Sequence, residues 1–188
     1  KEVAKLQRLT SLSLCGCEQI TDACLKEVAK LEKLEGLYLN STKITDTGLK
    51  ELAKLKKLTG LGLSNTKITD AGLKEVAKLQ QLKWLHLTET KITGAGFKDA
   101  KLKQLKELHL GNTKITDAGL KELAKLKQIE NLWLHGTKVT DTGLKEVTKL
   151  EKLEGLVLTE TKITDTGLKE VTKLKQLTGL YLHGTKIT

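Results

Sequence analysis

A short segment, TK[IV]T, recurs at Thr42, Thr66, Thr90, Thr113, Thr137, Thr161 and Thr185, with spacings of 24, 24, 23, 24, 24 and 24 residues. Self-similarity at one fixed period of this length marks a solenoid, in which each unit is too small to bury its own apolar face and must stack on its neighbours. A divergent copy from Leu9 through Cys17 and Ile20 is one residue longer, and the chain opens with KEVAKL, the tail of another copy. Eight segments of the form LxxLxL result, starting at Leu9, Leu34, Leu58, Leu82, Leu105, Ile129, Leu153 and Leu177.

Inside one unit, Leu34, Leu37, Leu39 and Ile44 give a short strand and turn. Leu49, Leu52 and Ala53 then recur at helical spacing, with Lys50, Glu51 and Lys54 on the other side. Thr45 before Asp46 suits a helix N-cap and an acidic first turn. A helix of about two turns is unstable alone because nucleation costs more than so few bonds return. Stacked copies bury leucine on leucine, at roughly 1.5–3 kcal/mol per side chain. The composition agrees: 38% of residues are hydrophobic but only 5 are aromatic, so the core has to be repetitive and aliphatic.

The pattern LxxLxLxxTxITDxGLKxLAKL resembles the leucine-rich repeat, specifically the 24-residue bacterial class related to the cysteine-containing repeats of F-box proteins, over essentially all 188 residues. The resemblance implies an α/β right-handed solenoid, a horseshoe with a parallel β-sheet on the concave face and short helices on the convex face. One domain, 1–188, of about eight repeats is expected, truncated at both ends and without caps, with flanking repeats or domains in the full-length chain. The family position usually held by Asn or Cys is Thr here, with Cys17 in the first copy; a Thr hydroxyl can still bond loop backbone.

Strand residues alternate between core and surface, so the third, fifth and seventh positions of each LxxLxL segment are expected on the concave face. Every Trp, Tyr and His of the chain falls there: Tyr38, Trp84, His86, His109, Trp133, His135, Tyr181 and His183, with Glu107 beside them. Strand propensity explains some aromatic enrichment but not the confinement of all four His. These nine residues are the expected partner-binding set, the partner being a protein or peptide, because Trp and Tyr give large contact area with few rotamers to freeze. Trp84 and Trp133, two strands apart, are expected to cover one ligand with His109 between them. Gly36, Gly60, Gly62, Gly155 and Gly179 are expected to leave the flanking sheet low.

A net charge of +10 invites a nucleic-acid reading. The concave positions, however, hold no Lys or Arg, and Arg8 is the only Arg in the chain. Nucleic acid is therefore disfavoured. Lysine instead forms a loop column, Lys43, Lys67, Lys91, Lys114, Lys138, Lys162 and Lys186, that offers an alternative polyanion-binding surface. A self-assembling repeat without a specific ligand is the third reading. His86, His109 and Glu107 lie close enough in register to raise a metal, but four tetrahedral ligands are not evident, so no metal is expected. No cofactor is implied. The concave columns hold no Asp to orient a base, so no catalytic residues and no enzyme are expected.

Cys15, Cys17 and Cys24 all lie in the first copy, and an odd count argues against a disulfide scaffold; buried free thiols are expected. The fourth unit departs from the array: Gly94 replaces Asp, Phe97 replaces Leu, and GFKDAKL is one residue short. Ala100 is then expected in the slot of the usual Val. No apolar run approaches the ~18–20 residues of a membrane span, so no membrane insertion is expected. The sequence carries no signal that assigns a compartment.

Overall fold

The computed structural model describes residues 2–188; Lys1, the first residue of the KEVAKL tail, lies outside it. Eight three-residue strands form one parallel sheet in chain order: β1 (Ser11–Ser13), β2 (Gly36–Tyr38), β3 (Gly60–Gly62), β4 (Trp84–His86), β5 (Glu107–His109), β6 (Asn131–Trp133), β7 (Gly155–Val157) and β8 (Gly179–Tyr181). The hydrogen-bonded strand thus spans only the third to fifth positions of each LxxLxL segment, and equivalent positions pair in register throughout, as Leu108 with Leu85 and Leu132. Six seven-residue helices pack behind the sheet: α1 (Asp22–Val28), α2 (Asp46–Leu52), α3 (Asp70–Val76), α4 (Asp117–Leu123), α5 (Asp141–Val147) and α6 (Asp165–Val171). No helix among the described residues is long and apolar enough to cross a membrane.

The core between sheet and helices is a stack of leucine columns, with Leu37, Leu61, Leu85, Leu108, Leu132 and Leu156 fully buried at the strand centres. The TK[IV]T threonines from Thr42 to Thr161 are also buried and Thr185 is half-buried; each hydroxyl donates to the carbonyl three residues earlier, as Thr42 to Leu39 at 2.6 Å and Thr137 to Leu134 at 2.6 Å. Thr therefore does the loop-closing work expected of it. The turn after every strand passes through one left-handed residue, from Gly16 and Ser41 to Glu160 and Gly184.

From α2 to α6 the helix caps form as expected, as where Thr45 is extended and its hydroxyl accepts from the Thr47 N–H, whereas Thr21 before α1 makes no such side-chain bond. The acidic residue after it has a further role. Asp46 accepts from the Thr69 backbone N–H at 2.8 Å and from the Thr69 hydroxyl at 2.6 Å, so it fastens its own repeat to the next. The same rung recurs as Asp22 to Thr45, Asp70 to Thr93, Asp117 to Thr140, Asp141 to Thr164 and Asp165 to Thr188. Such a two-point bond from a carboxylate is stronger than a neutral one.

The fourth repeat breaks this ladder. Gly94 supplies no carboxylate, and a 3-10 turn, Ala95–Phe97, stands where the other regular repeats have a helix. Phe97 is buried, and Ala100 packs half-buried against the core, as expected from the missing residue. The cysteines differ from expectation. Cys15 and Cys17 are exposed and Cys24 is half-buried. Partial burial pushes the Cys24 thiol pKa up.

Candidate functional site

The register carries the third- and fifth-position residues of β2 to β6 across one face, and the local sequence decides which way each side chain leans. Trp84 folds back over β3, where Gly60 has no side chain; a Cβ there would fall 1.7 Å from the indole. Gly60 is thus the bed of Trp84 rather than open floor for a partner. His135 lies likewise over Gly111, and Asn131 over Gly155.

The result is a row of rings. Tyr38 stacks on Trp84 at 5.2 Å between centroids, and Trp84 meets His86 at 5.2 Å. His86 stacks on His109 at 3.9 Å, and His109 on Trp133 at 3.8 Å. The two tryptophans therefore belong to one surface, but the histidines fill the space between them. Both Trp are half-buried against these neighbours, outside the leucine core.

Glu107 sits in the middle of the row. Its Oε1 is 2.8 Å from Nε2 of His109 and 3.3 Å from Nε2 of His86. His109 has its pKa lowered to about 4, first by burial, then by the neighbouring His86, with Glu107 opposing both. It is accordingly neutral at pH 7 and contributes no charge change near its ordinary value of about 6.5.

The remaining expected residues lie farther along. Tyr181 on β8 is 60% exposed and His183 is exposed, and neither touches the row. Between Trp133 and Tyr181 the sheet is low, over Gly155, Val157 and Gly179, which leaves an apolar groove of about 470 Å³ bordered by Asn131 and Glu154. Of the five glycines expected to lower the flanking sheet, Gly179 leaves open floor here, whereas Gly155 lies under Asn131 and Gly62 under Asn40 as Gly60 lies under Trp84. Val157 and Glu154 lie outside the expected set; the contrast of a small β7 between two aromatic strands is the signal that marks them. The seven loop lysines, Lys43 to Lys186, are all exposed in one column. They differ from the helix-tail lysines, such as Lys54, Lys78 and Lys149, which pair with the Glu three residues earlier.

Parallel in-register strands on one face, short helices behind them and a leucine core define a leucine-rich-repeat solenoid. The chain belongs to the leucine-rich-repeat family, whose model matches residues 30–53 and 102–124. Internalin C2 of Listeria monocytogenes is similar at 30% identity with a TM-score of 0.80, over 98% of this chain and 76% of that one. A leucine-rich-repeat protein of Leptospira interrogans is similar at 30% identity with a TM-score of 0.79, over 98% of this chain but 45% of that one. Another internalin of Listeria monocytogenes, at 23% identity and a TM-score of 0.59, shares the fold. No curated protein sequence matches significantly. Leucine-rich repeats of this kind are generally protein-interaction scaffolds and typically non-enzymatic.

Proposed function

We propose that the chain is a non-catalytic binding module that recognises a protein or peptide through its concave sheet. The observation that carries this reading is the ring row from Tyr38 to Trp133, continued by the groove before Tyr181, on a face without Lys or Arg. The stacked rings give a rigid platform with little side-chain freedom left to lose on binding. Trp133 turns its free side to the groove, so a partner's apolar side chain seated over Val157 is held between Trp133 and Tyr181. Glu154 and Asn131 at the rim supply polar contacts.

Peptide display on the purified chain tests this, with counter-selection on a Trp133→Ala/Tyr181→Ala variant. Enriched peptides should bind the parent chain with an affinity that changes little with added salt, and each single Ala change should weaken them by about 1–3 kcal/mol. Peptides that bind the double variant equally well would remove the concave face from the reading. A second reading rests on the exposed loop-lysine column, which suits an acidic polymer. Heparin binding that weakens steeply with salt and is lost on a triple Lys→Gln change at Lys91, Lys114 and Lys138 would favour it.

A further inference from the structure

We propose that His86, Glu107 and His109 form an open site for a borderline divalent transition-metal ion of the Zn2+ type, seated on the concave face between β4 and β5. The three donor atoms lie within 4.8 Å of one another, and they form the only such three-ligand group among the described residues. In a four-coordinate site with bonds of about 2.0–2.1 Å, donors stand about 3.3 Å apart. The two imidazole nitrogens lie at 3.3 Å and 2.8 Å from the Glu107 oxygen; the His86 and His109 rings stack at 3.9 Å, so seating an ion requires them to turn out of this stack until both nitrogens point at it. From sequence no metal is expected, because four converging ligands are not evident. That requirement belongs to closed sites, and a site with three protein ligands keeps one position open.

The donor set selects the ion. Two imidazoles and one carboxylate suit Zn2+, Co2+, Ni2+ or Cu2+, whereas Ca2+ and Mg2+ require a shell of oxygens that these residues do not supply. The backbone holds the donors in place, because Glu107 and His109 share β5 and His86 pairs in register with His109. Trp84 and Trp133 close the two sides by packing on His86 and His109. The fourth position faces outward, since the side chains of Glu107, His86 and His109 keep 38%, 29% and 21% of their surface accessible. A water or a donor atom from a partner completes the shell there. This site does not depend on the identity of the partner proposed above.

The only two Trp residues flank the three donors, which gives a direct readout. Co2+ is titrated into tag-free protein while Trp fluorescence is followed, and Zn2+ is then added as a non-quenching competitor. Saturable quenching by one equivalent, reversed by Zn2+, is expected. His86→Gln and Glu107→Gln, which lie on different strands and keep a hydrogen-bonding group, should each raise the apparent Kd by about 100-fold or more while far-UV dichroism stays unchanged. His183→Gln should leave the titration as it is. Quenching that fails to saturate below about 1 mM, or that is the same in Glu107→Gln and His86→Gln as in the parent chain, would overturn the site.

Discussion

Two rows of side chains run across the repeats, one on each side of the leucine core, and they are built on opposite principles. The Asp–Thr ladder at the helix starts uses one pair of residues in nearly every repeat, so each rung resembles the next. The ring row on the sheet uses residues without a regular repeat, each leaning into space that its neighbour leaves, as Trp84 does over Gly60. A repeated row supports the scaffold and tolerates a gap. A unique row has one arrangement only, and its information is lost with any member. The gap in the ladder shows the tolerance. Where Gly94 supplies no carboxylate, the Thr116 N–H turns to the Thr93 carbonyl at 3.4 Å, and Asp70 adds bonds to the Gly94 and Gly96 N–H groups.

The sharpest way to break this contrast is to strike the core that both rows share. Leu108 is fully buried between Glu107 and His109. Leu108→Asp places an unpaired carboxylate among leucines and should cost roughly 3–5 kcal/mol. Lys121→Gln, an exposed change on α4, should cost under about 0.5 kcal/mol. Thermal unfolding of the two variants checks this, and equal shifts would mean that the two sides of the strand are not distinct.

Restoring the ladder tests whether the repeated row is truly interchangeable. Gly94→Asp returns the consensus residue, yet Gly94 has φ of +97° and a Cβ there would lie 2.5 Å from the Gly119 Cα. The clash is with backbone, which cannot swing aside. Strain and overpacking together predict a loss of about 2–4 kcal/mol. Urea midpoints decide it: a more stable Gly94→Asp would show that the fourth repeat relaxes to the regular form.

The repeat made the fold legible. A 24-residue period with leucines at fixed offsets leaves one way to bury them, and the strands, helices and capping threonines follow from it. Confinement of Trp, Tyr and His to outward strand positions also marked the concave face. What a one-dimensional pattern omits is the lean of each side chain. Register alone places Trp84 and Trp133 about two strand spacings apart; only the volumes between them show that His86 and His109 fill the interval. The interrepeat role of Asp46 and its equivalents was hidden for a similar reason, since an acidic first turn is already accounted for by its own helix.

Protonation probes the ring row with a smaller perturbation. His109 packs on His86 and Trp133, hydrogen-bonds Glu107 and lies near His135, and its folded pKa is about 4. The unfolded chain takes up the proton near pH 6.5. Between these values the unfolded state binds more protons, so this stabilisation is complete above about pH 6.5 and is lost as pH falls through about 4. After allowance for solvent screening its size is on the order of 1–2 kcal/mol. The parent chain in chelator is compared with His109→Gln, so that carboxylates titrating in the same range cancel. A parent-minus-variant difference that is flat from pH 7 to 4 would place His109 in water.

The smallest effect separates position from stability within the ring row. Gly60→Ala introduces a methyl group where the Trp84 indole rests, 1.7 Å from ring atoms. Unlike Gly119 backbone, this neighbour is the far end of a side chain and can turn about its own torsions. The lost ring contact costs stability, while replacing Gly with Ala in a strand lowers the entropy of the unfolded chain by an amount worth about 0.4–1 kcal/mol. The two contributions oppose each other, so the unfolding midpoint should move by less than about 1 kcal/mol. The ring itself has to move, because no arrangement keeps both the methyl and the indole in place. Trp emission should shift to longer wavelength, and acrylamide should quench more of it than in the parent chain. Unchanged emission with a large loss of stability would mean that Trp84 is clamped by the sheet, and that the unique row supports the scaffold as the repeated one does.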